Sequence, residues 1–421
     1  MRRSLVIVIA LALATAVAPV ASATPGDLDA SFGRGGVQTA FADGAIAYGV
    51  AIDHHGRVLL AGATTSAHPD VALARFTPGG TLDPSFGGGD GRVTTDLGAN
   101  EYAFDVAIQA DGGIVVAGER ATPTTSRALV QRYRPNGMLD PTFGNAGTVT
   151  FAFGHRLQDA DAVAIGPNGR IVVAGFTSNG ITSRSALARL LADGRIDTSF
   201  GTRGRVTLDL SPSAERFTDV AVANDGRIVA GGWAEGSLVP AFSAARFTTD
   251  GRLDPTFNGR GSIRFSVSDG ADRVAAIALE PDGSVVLAGY AADARRDEWA
   301  IARLGPHGHL DASFGTGGAI VTSFGAGFDE ADGVAVQPNG KIVVVGRIHA
   351  GDAADIGVLR LKPTGGRDRA FGHGGRVLTE VGGAANEARD VALQPDGKIV
   401  VAGDAIVDGA RRFVAARYVP T

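Results

Sequence analysis

The sequence predicts an all-β, seven-bladed β-propeller with four antiparallel strands per blade, and three observations carry that reading. A Phe in an L-D-x-[ST]-F-like motif recurs at Phe32, Phe86, Phe143, Phe200, Phe257, Phe314 and Phe371. An Arg in an A-R-[FYL]-like motif recurs at Arg75, Arg132, Arg189, Arg246, Arg303, Arg360 and Arg417, each 57 residues after the last. Between these marks lie short β-branched and apolar runs separated by Gly, Pro, Asn and Asp, the pattern of strands and turns. A fixed period of this length marks a closed or stacked repeat, and radial repetition of four-stranded sheets is the β-propeller.

The unit from Leu310 to Leu361 shows the elements in order. A turn (Leu310 to Gly315) leads into a run from Ala319 to Phe324, then Val334 to Val336, Lys341 to Gly346, and a fourth run ending Val358-Leu359-Arg360-Leu361. The second and third runs meet at a tight turn whose last Gly recurs in every copy (Gly56, Gly112, Gly169, Gly226, Gly283, Gly340, Gly397), where a hairpin needs positive φ. No helical periodicity follows these glycines, so a phosphate loop is not indicated. Runs such as Ile399-Val400-Val401-Ala402 are apolar on successive residues, so both faces must be covered, as in sheets packed between sheets. A small Ala centred in each Val-Ala-Val run (Ala51 to Ala392) suits the crowded region near an axis.

We label the Val-Ala-Val strand A, the Lys-Ile-Val-Val strand B, the Ala-Arg-Phe strand C and the Val-x-Thr strand D, from the axis outward. The N-terminal part supplies only a D strand near Val37 to Phe41, and the C-terminal part supplies A, B and C without D. The last blade is therefore expected to close on the N-terminal strand, which removes two open sheet edges.

Residues 1–23 read as a signal peptide: Met1-Arg2-Arg3, an apolar stretch from Leu5 to Ala18, and the small-x-small site Ala21-Ser22-Ala23. The remainder, residues 24–421, reads as one propeller, and a secreted or periplasmic location follows. Arg2-Arg3 leaves both the twin-arginine and the general secretory route open. No cysteine occurs, so stability must come from burial and backbone pairing. The net charge of −5 becomes −7 without Arg2 and Arg3, which argues against a nucleic-acid surface, and no second apolar run is long enough to cross a bilayer.

The succession L-D-x-[ST]-F-G, G-x-V-x-T, V-A-[VIL]-Q-P-[DN]-G-K-I-V-V-A-G and A-R-[FY] resembles the delta-60 repeat family of bacterial exported repeat proteins, over Leu28 to Tyr418. The resemblance implies a β-propeller and brings no activity, cofactor or catalytic residue. Departures are local: Arg367 stands for the motif Leu, Ala370 for the Ser or Thr, and Gly232 ends a third strand written Ile228-Val229-Ala230-Gly231.

Each recurrent Arg except Arg417 precedes an Asp by 8 residues (Arg75 and Asp83, Arg132 and Asp140), and Asp29 has no Arg before it. Charges present in every blade are scaffold, with the Asp capping its Asp-x-[Ser/Thr] turn and receiving the Arg. On this reading Asp29 stands to Arg417 as Asp83 stands to Arg75.

Function is sought where the copies differ. The B–C and D–A connections share one rim, and the B–C loops (Ala63 to Asp70, Glu119 to Arg127, Phe176 to Arg184, Trp233 to Ala241, Tyr290 to Glu298, Arg347 to Asp355, Asp404 to Arg412) are its variable part. Phe176, Trp233 and Tyr290 form an aromatic arc suited to a glycan, peptide or protein ligand, unless each ring packs on its own loop. Glu101, Glu215, Asp272 and Asp329 enter strand A, and Asp105, Asp219 and Asp390 stand one residue before it near the channel mouth. Carboxylates converging there would bind Ca²⁺ or Mg²⁺, although no calcium-loop spacing is present. With no Cys nucleophile, no G-x-S-x-G elbow and no helix for H-E-x-x-H, a binding module is the first reading. A metal-assisted hydrolase or lyase at the channel mouth is the alternative, on fold analogy.

Overall fold

Strands of this chain bury both faces, because the B and C strands carry apolar side chains without alternation; the first seven residues of Ile399–Val407 are all buried. The computed structural model describes residues 23–236, 239–292, 296–325, 327–350, 353–383 and 385–420. All of the leader expected over residues 1–23 except Ala23 lies outside them. Among the described residues there are 28 strands in seven four-stranded antiparallel sheets, with only a three-residue 3-10 turn, Pro167–Gly169, of helical type.

Blade 1 shows the plan: A (Ala45–Ile52), B (Val58–Thr64), C (Val71–Phe76) and D (Arg92–Thr95), hydrogen-bonded in that order. The A strands that follow are Asn100–Ile108, Leu157–Ile165, Glu215–Val222, Ala271–Leu279, Glu330–Val336 and Glu387–Leu393. Each A strand touches its neighbours around the axis, and that of blade 7 meets that of blade 1. The turn glycines between A and B all have positive φ, from 70° at Gly169 to 89° at Gly283.

The core lies between blades. Phe143, fully buried, packs with Val115 and Ala117 of blade 2 and Ile171 and Val173 of blade 3, and the other six motif phenylalanines are equally inaccessible. Burial of each such ring contributes about 1.5–3 kcal/mol to the packing of blade on blade.

Around each Phe sits an ionic clasp. Asp83 Oδ1 accepts the backbone N–H and hydroxyl of Ser85 at 2.9 and 2.7 Å, while Asp83 Oδ2 accepts Arg75 Nε at 2.9 Å. The Arg75 guanidinium lies 4.5 Å from the Phe86 ring centroid and donates to the carbonyl of Pro135 in the next blade. The same reach to the next blade recurs at Arg246 and Arg303, each 2.6 Å from a proline carbonyl. Arg132 holds Asp140 at 2.7 Å but turns its Nε to Gln109 of its own blade. A buried ion pair adds little net stability over an apolar substitute, and what this one does is fix each turn against its own blade and the next.

The ring closes through the chain's two ends. Val37–Ala40 pairs antiparallel with Ala410–Tyr418, Val37 opposite Ala416, and completes blade 7. Asp29 N donates to Arg417 O at 2.8 Å, and Arg417 Nη2 lies 2.9 Å from Asp29 Oδ2.

Candidate functional site

Strand A carries one extra residue in every blade. Its register against strand B slips between Ala47 and Gly49, Ala103 and Asp105, Ala160 and Ala162, Phe217 and Asp219, Val274 and Ala276, Ala331 and Gly333, and Ala388 and Asp390. Such a bulge re-aims the side chains around it. It also drives the A backbone against a glycine of strand B: a Cβ on Gly175 would stand 2.1 Å from Asp159 O, and one on Gly289 1.9 Å from Arg273 O. The Gly closing each B strand's apolar run is thus the partner of the bulge.

Above the bulge, the A and B strands present polar and aromatic side chains to the channel mouth. Phe176, Trp233 and Tyr290 stand in strand B (Ile171–Ser178, Ile228–Glu235, Val285–Ala292) and not at the start of a loop, because B continues past its Gly to pair with the upper half of A. Each ring is half-buried. They are linked by arginines that the sequence reading passed over: Arg216, opposite Trp233 in register, lies 4.6 Å over the Phe176 ring, and Arg273, opposite Tyr290, lies 4.4 Å over Trp233. The three rings and two guanidinium groups form one alternating ladder across blades 3, 4 and 5.

A second arc runs through blades 7, 1 and 2. Arg389 lies 5.2 Å over Tyr48, whose ring meets Phe104 edge-on at 5.6 Å, and Tyr102 stacks on Phe104 at 5.8 Å. Carboxylates fill the gaps between the arcs. Arg216 Nε donates to Asp161 Oδ2 at 2.6 Å, Arg347 pairs with Glu330 at 2.9 Å, and Arg389 Nε donates to Asp404 Oδ1 at 3.0 Å. Burial, then the neighbouring Asp161, holds the Asp159 carboxyl well above the usual range, and its buried Oδ1 has no hydrogen-bond partner. Burial pushes Asp332 up to about 8, opposed by Arg389 and reinforced by Glu330.

The carboxylates expected to hold a metal are engaged otherwise. Asp105, Asp219 and Asp390 lie within strand A, and each accepts the backbone N–H of its own next residue and one from the next blade: Val163 at 2.7 Å, Ile277 at 2.7 Å and Val50 at 2.8 Å. They come from blades 2, 4 and 7, act as staples between A strands, and, although near enough to raise one another electrostatically, do not bring three ligand atoms within 4.8 Å of one another. Glu101, Glu215, Asp272 and Asp329 are also strand or strand-entry residues, fully buried, and cap the D–A loops: Glu101 accepts Leu97 N and Ala99 N at 3.1 and 3.0 Å, and Asp272 accepts Val267 N and Ser268 N at 2.8 and 3.2 Å. Glu215 accepts Ser185 N at 3.3 Å and Leu210 N, and Asp329 accepts Phe324 N at 2.9 Å and His349 N at 3.0 Å. Among the described residues, only Asp70, Asp96 and Glu101 bring three ligand atoms within 4.8 Å of one another. In sequence, a loop-capping carboxylate and a ligand look alike; the N–H donors that separate them belong to the backbone.

The pattern that marks the mouth is a column of the repeat. The bulged residue reads Tyr48, Phe104, Asp161, Thr218, Ala275, Asp332 and Arg389, varied in charge and size from blade to blade.

The model of the domain of unknown function (DUF5122) β-propeller family matches seven segments, 56–86, 109–143, 166–200, 223–257, 280–314, 337–371 and 394–420. The chain belongs to this family. No curated protein matches the chain in sequence. Among solved structures, a catalytically inactive virginiamycin B lyase from Staphylococcus aureus with quinupristin is similar at TM-score 0.53 and 14% identity, covering 90% of this chain and 98% of that one. The polysaccharide lyase Uly1 is similar at TM-score 0.51 and 10% identity, covering 89% and 90%. At these identities the likeness is one of fold.

Proposed function

We propose that this β-propeller is an exported binding module that takes a glycan, peptide or protein ligand on the rim of the B–C and D–A loops, with the channel mouth as its contact surface. The observation that carries the reading is the ladder Phe176, Arg216, Trp233, Arg273, Tyr290: half-buried rings and guanidinium groups from three blades in one arc, on strands held rigid by the scaffold beneath. Large apolar side chains left open on the same rim, Ile181 at 91% and Phe328 at 52% exposure, support a contact surface there. Screening residues 24–421 by thermal shift against glycans and peptides, then titrating wild type and Trp233→Ala with the best ligand, tests it. A saturable ligand that Trp233→Ala weakens is expected; a rim on which no ligand depends on the arc contradicts it.

Export rests on residues 1–23 and on the delta-60-like motifs, and N-terminal sequencing of the secreted product should begin at Thr24. The metal-assisted hydrolase or lyase alternative has less support, since the carboxylates it would draw on are occupied by backbone N–H groups.

A further inference from the structure

Several arginines at the mouth hold carboxylates: Arg216 with Asp161, Arg347 with Glu330, Arg389 with Asp404, and Arg411 also with Asp404. Among the described residues no carboxylate pairs with Arg273, and its Nε is buried without a hydrogen-bond partner. Its position is nevertheless fixed. One face lies on Trp233 at 4.4 Å, and Tyr290 stands directly opposite it in register on strand B. The ladder also ends here. Phe176 and Trp233 are each covered by the arginine of the following blade, whereas the blade after Tyr290 brings Glu330 to that position, so among the described residues no cation covers Tyr290. Glu330 is itself neutralised by Arg347.

A guanidinium without a carboxylate partner among the described residues, beside a half-buried aromatic ring that carries no cation there, is complementary to a ligand carrying an anion on a ring. The planar fork donates two parallel hydrogen bonds to a carboxylate, and the flat apolar face of a pyranose matches the face of a tyrosine. We propose that Arg273 and Tyr290 form a subsite for an acidic saccharide, a uronate whose carboxylate rests on the Arg273 guanidinium and whose ring lies against Tyr290. The inference rests on the binding role of the mouth and names its ligand class. A peptide carboxylate would satisfy Arg273 equally, but an extended peptide has no need of the uncovered ring.

Titration calorimetry on the full mature chain tests it, with trigalacturonate as probe, maltotriose as the neutral control and tetraglutamate as the peptide carboxylate. Trigalacturonate should bind, more weakly as salt rises, and better than either control. Arg273→Gln should weaken it about tenfold or more, the loss expected of a charge-assisted pair, Arg273→Lys should lose less, and Tyr290→Ala should lose affinity while Tyr290→Phe keeps most of it. If Arg273→Gln fails to fold, the Lys and Tyr290 variants carry the test. Failure of trigalacturonate to bind, unchanged affinity in the Arg273 variants, or preference for maltotriose or tetraglutamate overturns the subsite but leaves the binding mouth standing. A wider glycan and peptide panel without a single saturable ligand overturns the mouth reading itself.

Discussion

Replacing Asp29 by Asn weakens the junction of the chain's two ends, the Ser31 turn together with the Arg417 pair, because it removes one charge and almost no volume. Burial alone would raise the Asp29 carboxyl, but bonds from Ser31, then Arg417 and Lys398, outweigh it and bring it down from 3.8 to about 2. A difference of about 1.8 units at 1.36 kcal/mol each gives about 2.5 kcal/mol of stability at neutral pH. The sign follows from the depressed value: the native chain releases this proton more readily than the unfolded one, so the contribution is present above about pH 4 and is lost as pH falls toward 2. Urea unfolding of residues 24–421 followed by intrinsic fluorescence should therefore show Asp29→Asn less stable by about 2–3 kcal/mol at pH 7, with the deficit shrinking at low pH. The side chains of Arg417 and Asp29 are 4% and 11% exposed, so salt should screen the effect little. A variant as stable as wild type at pH 7, or a deficit independent of pH, would refute the argument.

Other expectations concern the backbone and the channel. Gly289→Ala, whose Cβ would meet Arg273 O at 1.9 Å, should cost about 3 kcal/mol or prevent folding, whereas Gly283→Ala, with 3.8 Å of room but φ of +89°, should cost about 1 kcal/mol, both read from urea midpoints. Burial and Asp105 raise Asp219 to about 7, and burial raises Asp105 to about 6, so the native chain binds protons that the unfolded chain has released; stability should fall as pH rises from 5 to 8, and Asp219→Asn should flatten that slope. Deleting residues 24–41 should leave the strand Ala410–Tyr418 as an open edge and make the chain self-associate, detectable by light scattering; a monodisperse monomer would count against the role given to the closing strand.

The fold was legible because its cause is periodic. The 57-residue spacing, the A-to-D order and the split last blade all follow from positions that repeat, and the pairing of Asp29 with Arg417 is the same contact as Asp83 with Arg75, interrupted by the chain's ends. The mouth was legible only in part. Phe176, Trp233 and Tyr290 drew notice as aromatics after an apolar run, yet Arg216 and Arg273, which join them, lie in a stretch of strand A whose polar residues look like loop. What turns that stretch into strand is the bulge, a single extra residue whose sequence trace is the glycine facing it on strand B. The surroundings of Asp105 and Asp272 were illegible for a related reason: their partners are backbone N–H groups of adjoining blades and loops, which no side-chain pattern records.

The central claim, that the varied mouth of a uniform scaffold is where this protein binds, is tested most directly by a crystal structure of residues 24–421 soaked with trigalacturonate or the best ligand of the panel. The account predicts density against Tyr290 and Trp233 with an anionic group on Arg273. Ligand bound instead in the groove of about 660 Å³ lined by Asp225, Arg246 and Glu280 on the opposite rim would contradict it.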